Sequence, residues 1–262
     1  MSTTLFILAN LAGLLGFLYP FLLPATAAAP GAYPAAPVVF FLLTTLCLLV
    51  LIAELGAREL DARTVALMGV LAAVNAALRL AENTVLVLPG GFSPVFLLII
   101  LGGYTFGARF GFLFGALSLL ASALVTGGIG SWLPYQMTAA GWVGMGAGWL
   151  PQHRRPGFRL ALLAGYGALW GFLFGLLMNL YFWPFMAGTG GSWEAGLTWG
   201  ETLRRYFLFY GVTSLWWDAF RAVGNAALLA TLGEPLRQIL GRFQRRTVVV
   251  REEDEEGRGD EE

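Results

Sequence analysis

Apolar stretches recur along this chain at close to the length that crosses a bilayer, and that recurrence decides what it can fold into. They cover 5–23, 38–55, 64–81, 95–106, 110–125, 135–150, 160–183 and 206–232. A hydrocarbon core about 30 Å thick needs roughly 20 helical residues, and it tolerates no unpaired backbone. Period-two alternation is absent, so the stretches read as helices and not as strands of a barrel. Charge agrees: only 12% of residues are charged, against about 25% in soluble domains. The expected fold is all-α, a polytopic membrane helix bundle. Residues 1–60 form two N-terminal transmembrane helices and a charged connector. Residues 61–235 form a six-helix core, and 236–262 form a charged cytoplasmic tail, disordered at its end.

Orientation follows from the arginines, since the chain has no lysine. Arg58, Arg63, Arg109, Arg154, Arg155, Arg159, Arg237, Arg242, Arg245 and Arg246 fall on one side of the eight-span arrangement. Only Arg204 and Arg205 fall on the other. Positive charge marks the cytoplasmic side, so both termini are expected there, in a multi-pass protein of the cell membrane. The basic loops are then topological signals, and no nucleic-acid patch is expected. The alanine run at 25–29 resembles a signal-peptidase site, which leaves cleavage of the first helix open.

Catalytic chemistry finds little to work with. Cys47 stands alone in an apolar stretch and His153 alone in a basic loop, so neither a disulfide framework nor a transition-metal site is expected. No Walker A, H-E-x-x-H or G-x-S-x-G sequence occurs. The chain reads as a non-enzyme without a cofactor.

A small-molecule site is legible in the run from Thr126 to Leu150. A glycine-rich loop, Gly127 to Gly130, leads through Trp132 and Pro134 into a helix bearing Gln136 and then Gly141, Gly144, Gly146 and Gly148. The small residues permit close helix approach. Trp132, Tyr135 and Gln136 form the lid and wall of a site open to the outer side. Ionisable groups within a span cost at least roughly 2.5 kcal/mol each at the helix centre and turn inward. Asn75, Arg79 and Asn83 share one helix face, and Arg79 can pair with Glu82 at i, i+3. Asp218, Arg221 and Asn225 share another, beside Trp216 and Trp217. Asn179 lies near Tyr181 and Trp183. These groups either line the site or pin helices together. Trp183, Trp193 and Trp199 also suit an outer interfacial belt. Ala72, Ala73, Ala76 and Ala77 make two overlapping A-x-x-x-A patterns, a packing face that the residues alone place inside the protein.

Several of these features, in order, carry a resemblance. They are the A-x-x-x-A face, the S-P-V-F-L-L-I-I-L-G-G-Y-T-F-G-A-R-F-G-F-L-F-G-A run from Ser93 to Ala116, and G-G-I-G-S-W-L-P-Y-Q-M from Gly127 to Met137. After them come N-L-Y-F-W-P-F from Asn179 to Phe185 and T-S-L-W-W-D-A-F-R-A-V-G-N-A from Thr213 to Ala226. From Arg63 to about Arg246 the chain resembles a substrate-specific S component of an energy-coupling factor (ECF) vitamin transporter, closest to the corrinoid-type members. The six-helix S-component core would then carry two extra N-terminal helices. The resemblance implies capture of a vitamin from outside in a cavity closed by extracellular loops. It implies assembly with a transmembrane T component and two ABC-type ATPases, and toppling in the bilayer to deliver the cargo. It makes Ala72, Ala73, Ala76 and Ala77 partner-coupling residues, which reverses their inward reading. The implied cargo is cobalamin or a precursor, with riboflavin or a queuosine precursor also suited to the tryptophans. Trp132, Tyr135, Gln136, Asn179, Trp183, Trp217 and Arg221 are the expected substrate-binding residues. The alternatives are a membrane enzyme acting on lipid or isoprenoid substrates through Asp218, Arg221 and Glu82, or a structural membrane protein.

Overall fold

The computed structural model describes residues 2–22, 62–84, 93–183 and 196–259, with single positions between these stretches. Among the described residues all regular structure is helical. The helices are α1 (Ser2–Leu22), α2 (Ala62–Thr84), α3 (Val95–Phe106), α4 (Ala108–Thr126), α5 (Leu133–Gly148), α6 (Pro156–Phe182), α7 (Trp199–Thr213) and α8 (Leu215–Gly259). Among the described residues, three stretches are long and apolar enough to cross a bilayer: Ala62–Glu82, Ala108–Thr126 and Pro156–Phe182. The span expected at 38–55, the connector after it and the alanine run at 25–29 lie largely outside the described residues.

Small residues bring the helix backbones together. Gly144 of α5 lies so close to Gly103 of α3 and Gly111 of α4 that a methyl group on any of the three would meet backbone. Gly107 joins α3 to α4 in one residue at φ 97°, a conformation that a side chain would strain. On the other side of the bundle Gly167, Gly171 and Gly175 stand one turn apart on α6. A Cβ on these would meet Leu229 and Asn225, the backbone of Ala222, and the carboxylate of Asp218. α8 therefore lies antiparallel in the groove of α6. In lipid, where apolar burial drives little, such close van der Waals contact is the main adhesive.

Polar side chains fix the register. Asn75 of α2 donates to the Val95 carbonyl at 3.2 Å and to Ser118 Oγ at 3.1 Å, which ties α2 to α3 and α4. Ala72 and Ala76 are buried beside it, whereas Ala73 and Ala77 are exposed together with Val70 and Val74. The two A-x-x-x-A patterns thus face opposite ways: one packs inside the bundle and the other is open to the surroundings. α1 lies on α5 and α6. Phe17 meets Tyr135 edge-on at 5.2 Å, the Trp142 indole donates to Asn10 Oδ1 at 2.7 Å, and Phe6 meets Phe112 at 5.0 Å.

The stretch 206–232, expected as a single span, is broken at Ser214 into α7 and α8. Asn179 of α6 causes the break to be satisfied rather than strained. Its amide donates to Ser214 Oγ at 2.5 Å, and its Oδ1 accepts from Thr213 Oγ1 at 3.1 Å. α7 is amphipathic. Leu203, Phe207, Leu208 and Val212 are exposed, while Tyr206, Phe209 and Tyr210 are buried, and the Tyr206 hydroxyl donates to the Leu176 carbonyl. Arg204 and Arg205, the two arginines on the expected outer side, are neutralised locally. Both pair with Glu201, and Arg205 also reaches Glu194 at 2.7 Å.

α8 does not stop at Gly233 and Pro235, where the sequence signals an end, but continues to Gly259. Proline costs one backbone bond here, and the flanking carboxylate holds the helix in place. Glu234 accepts from Arg159 of α6 at 2.6 Å, from Arg237 at 2.8 Å and from Gln238 at 3.2 Å. The Arg237 guanidinium first, and Arg159 with it, hold the Glu234 carboxyl down at about 2. Of the three tryptophans expected in an interfacial belt, Trp183 and Trp193 are buried and Trp199 is exposed.

Candidate functional site

A cavity of about 930 Å³ opens where α2, α3, α5, α6 and α8 converge at the end bearing the glycine-rich loop. One wall is aromatic. Tyr135 stacks on Tyr181 at 4.2 Å between centroids, and the Tyr181 hydroxyl shares a 2.5 Å hydrogen bond with Ser131 Oγ. The loop folds over this wall because Gly127 takes the left-handed conformation at φ 69° and closes α4 onto the Ala123 carbonyl. Trp132 follows. Its indole donates to the Gly128 carbonyl at 3.1 Å while its ring stays 44% exposed at the rim.

The opposite wall is charged and paired. Arg221 donates to Asp218 Oδ1 at 2.5 Å and to the Gly171 carbonyl at 3.3 Å, and its guanidinium lies 5.5 Å from the Phe174 ring centre. Asp218 is 1% exposed, and its second carboxylate oxygen has no hydrogen-bond partner. At a third corner Glu82 accepts from Ser93 Oγ at 2.9 Å. Arg79, one turn earlier on α2, forms no ion pair with it within 4 Å among the described residues, although the two sense each other electrostatically.

Of the residues expected from the sequence to bind substrate, Trp132, Tyr135, Gln136, Asn179, Trp217 and Arg221 line this cavity. Asn179 reaches it with its amide already engaged at the α7–α8 break. Trp183 lies outside the lining. It is fully buried, its indole donates to the Gly191 carbonyl at 2.6 Å, and its ring packs at 5.2 Å from Tyr206. Its indole thus ties the end of α6 to the Gly191 carbonyl. Ser93, Ser131, Phe174 and Ser214 line the cavity without having been singled out. Only Ser93 had a local signal, since it precedes Pro94 at the head of α3. Phe174 reaches the cavity through helix phase, which a uniformly apolar helix does not reveal, Ser131 through the loop before α5, and Ser214 through the break between α7 and α8.

The family model described as "ECF transporter, substrate-specific component" matches residues 63–233. Neither the comparison with curated proteins nor that with solved structures gives a match.

Proposed function

From the premise that this chain belongs to the ECF transporter substrate-specific component family, we propose that its cavity captures a vitamin-sized cargo from outside the cell. Members of this family are membrane transporter subunits and not enzymes, and they work with a T component and ATPases. The observation that carries the proposal is the cavity itself. At about 930 Å³ it stands near the top of the range for drug-sized ligands, which suits a large cargo better than a single small ring. Aromatic side chains on one side and a few fixed polar groups on the other are the usual means of orienting a partly apolar ligand.

Trp132, Tyr135, Gln136 and Trp217 are the proposed contacts, with Asn179 and Arg221 at the floor. Trp183 serves the site through the loop it anchors. Cobalamin or a corrinoid precursor is the first cargo to test, ahead of riboflavin or a queuosine precursor. The exposed Ala73–Ala77 face of α2 is the proposed contact with the T component, because Ala72 and Ala76 are occupied inside the bundle. The termini are taken as cytoplasmic, in agreement with the arginine-rich latch around Glu234 lying at the end opposite the cavity.

Native mass spectrometry of the purified protein against a vitamin panel that includes cobalamin and cobinamide tests the reading. A one-to-one complex with a panel member is the expected result. Folded protein that binds none of the panel would refute it.

A further inference from the structure

A second chamber of about 200 Å³ adjoins the main cavity, between α2, the outer end of α4 and the glycine-rich loop. The two share Arg79, Trp132 and Gln136 on their walls, so these residues form the neck between them. The main cavity carries both signs of charge. The chamber does not: among the described residues that line it, Arg79 is the charged one and no carboxylate is present. Its remaining polar wall comes from Ser122 and Thr126 of α4 and from Gly128.

Two polar groups on this chamber lack a side-chain or backbone partner among the described residues. Arg79 has neither a hydrogen bond nor an ion pair within 4 Å among the described residues; Glu82, one turn away, accepts from Ser93 and interacts with Arg79 at longer range. An arginine with five donors inside a membrane protein is costly unless an acceptor meets it. Independently, Ser122 is 1% exposed and its hydroxyl has no hydrogen-bond partner among the described residues. Buried polar groups are ordinarily satisfied, so two unsatisfied donors on one small polar chamber call for an acceptor between them.

We infer that the chamber is an oxyanion subsite, holding a carboxylate or phosphate at one end of a substrate whose larger, partly apolar body fills the main cavity. This rests on the importer reading above and narrows its substrate class. Guanidinium and oxyanion match geometrically as planar fork to paired oxygens. The Ser122 hydroxyl and the Gln136 amide supply further donors. Trp132 sits over the neck, so the loop closes on both compartments at once. A substrate bearing an acid group would meet Arg79 directly, which a neutral one would not.

The test uses the full-length protein in lipid nanodiscs and probes paired to differ at one oxyanion: biotin with biotin amide, pantothenate with panthenol, cobyric acid with cobinamide, and flavin mononucleotide with riboflavin. Affinities are read by native mass spectrometry. A bound pair should favour its anionic member by about tenfold or more, the scale of a charge-assisted hydrogen bond. Arg79→Gln should erase that preference while leaving the neutral member's affinity within about twofold, and Ser122→Ala should reduce it in part. The carboxylate and phosphate pairs tell the two oxyanions apart. Equal binding of both members of a pair, or a preference that survives Arg79→Gln, would overturn the subsite and leave the importer reading standing. Absence of binding to any probe by folded protein would overturn both. Should Arg79→Gln fail to fold, the wild-type preference together with Ser122→Ala decides the question.

Discussion

The Asp218–Arg221 pair offers the sharpest test of how this bundle is held together. Asp218 is 1% exposed and Arg221 16%, with 2.5 Å between them. Asp218→Ala would leave the guanidinium with the Gly171 carbonyl at 3.3 Å and the face of Phe174, too little to compensate a buried charge. Removing one partner of a buried pair costs about 3–5 kcal/mol, and the same follows for Arg221→Ala. Removing both charges leaves no uncompensated ion, and apolar replacements of similar size are often neutral or better. Asp218→Leu combined with Arg221→Met should therefore be far more stable than Asp218→Leu or Arg221→Met alone, with a coupling of roughly 3 kcal/mol or more in the cycle these form with wild type. Unfolding in mixed micelles of mild detergent and dodecyl sulfate measures all four proteins on one scale. Single effects that simply add, within about 0.5 kcal/mol, would refute the view of the pair as one neutral unit. Cargo affinity of the stable double variant then shows whether the pair also touches the ligand: unchanged binding confines it to holding α8 on α6.

Other perturbations separate binding, assembly and folding. Trp132→Ala with Gln136→Ala should weaken cargo binding by about tenfold or more, the usual scale for an aromatic anchor, at unchanged thermal stability; undiminished affinity in a titration would move the site away from the loop. Ala73→Trp with Ala77→Trp should abolish copurification with the T component and spare cargo binding, whereas Ala76→Trp, at a buried position, should cost about 1–3 kcal/mol by overpacking and lower the folded yield. Wild-type assembly of the Ala73/Ala77 variant would exclude that face as the contact. Glu234 has its carboxyl depressed from 4.5 to about 2, so its contribution to stability is complete above pH 4.5 and is lost as the pH falls through about 2. Thermal unfolding across that window should show wild type losing stability and Glu234→Gln changing less; parallel curves would contradict the latch.

Sequence reached the helices and the site region more easily than their orientation. Apolar length located the spans, and glycine and tryptophan in the 126–150 run pointed at the loop that now roofs the cavity. Helix phase was harder to see. Ala72, Ala73, Ala76 and Ala77 look equivalent in sequence, and only Asn75, whose amide seeks Ser118 and the Val95 carbonyl, turns two of them inward. The break at Ser214 has no glycine or proline to announce it, because the side chain that satisfies the open turn belongs to Asn179, 35 residues earlier. Pro235 misled in the opposite sense: it reads as a stop, yet the Arg159–Glu234–Arg237 cluster carries the helix past it. The Gly167, Gly171 and Gly175 stripe has the spacing of a close-packing face, but nothing in its spacing names α8 as the partner.

The placement of α1 brings two contacts onto one residue. Phe17 packs edge-on with Tyr135, and Tyr135 also borders the cavity. Detaching α1 would expose the back of α5 to acyl chains and not to water, so the helix is held by van der Waals fit and the Asn10–Trp142 bond, with little hydrophobic penalty for leaving. Whatever immobilises Tyr135 from the cavity makes it a firmer seat for Phe17, and thermodynamic reciprocity requires that a docked α1 strengthen the cargo by the same factor. The first helix is in that sense a second ligand of the binding wall, delivered by the chain itself.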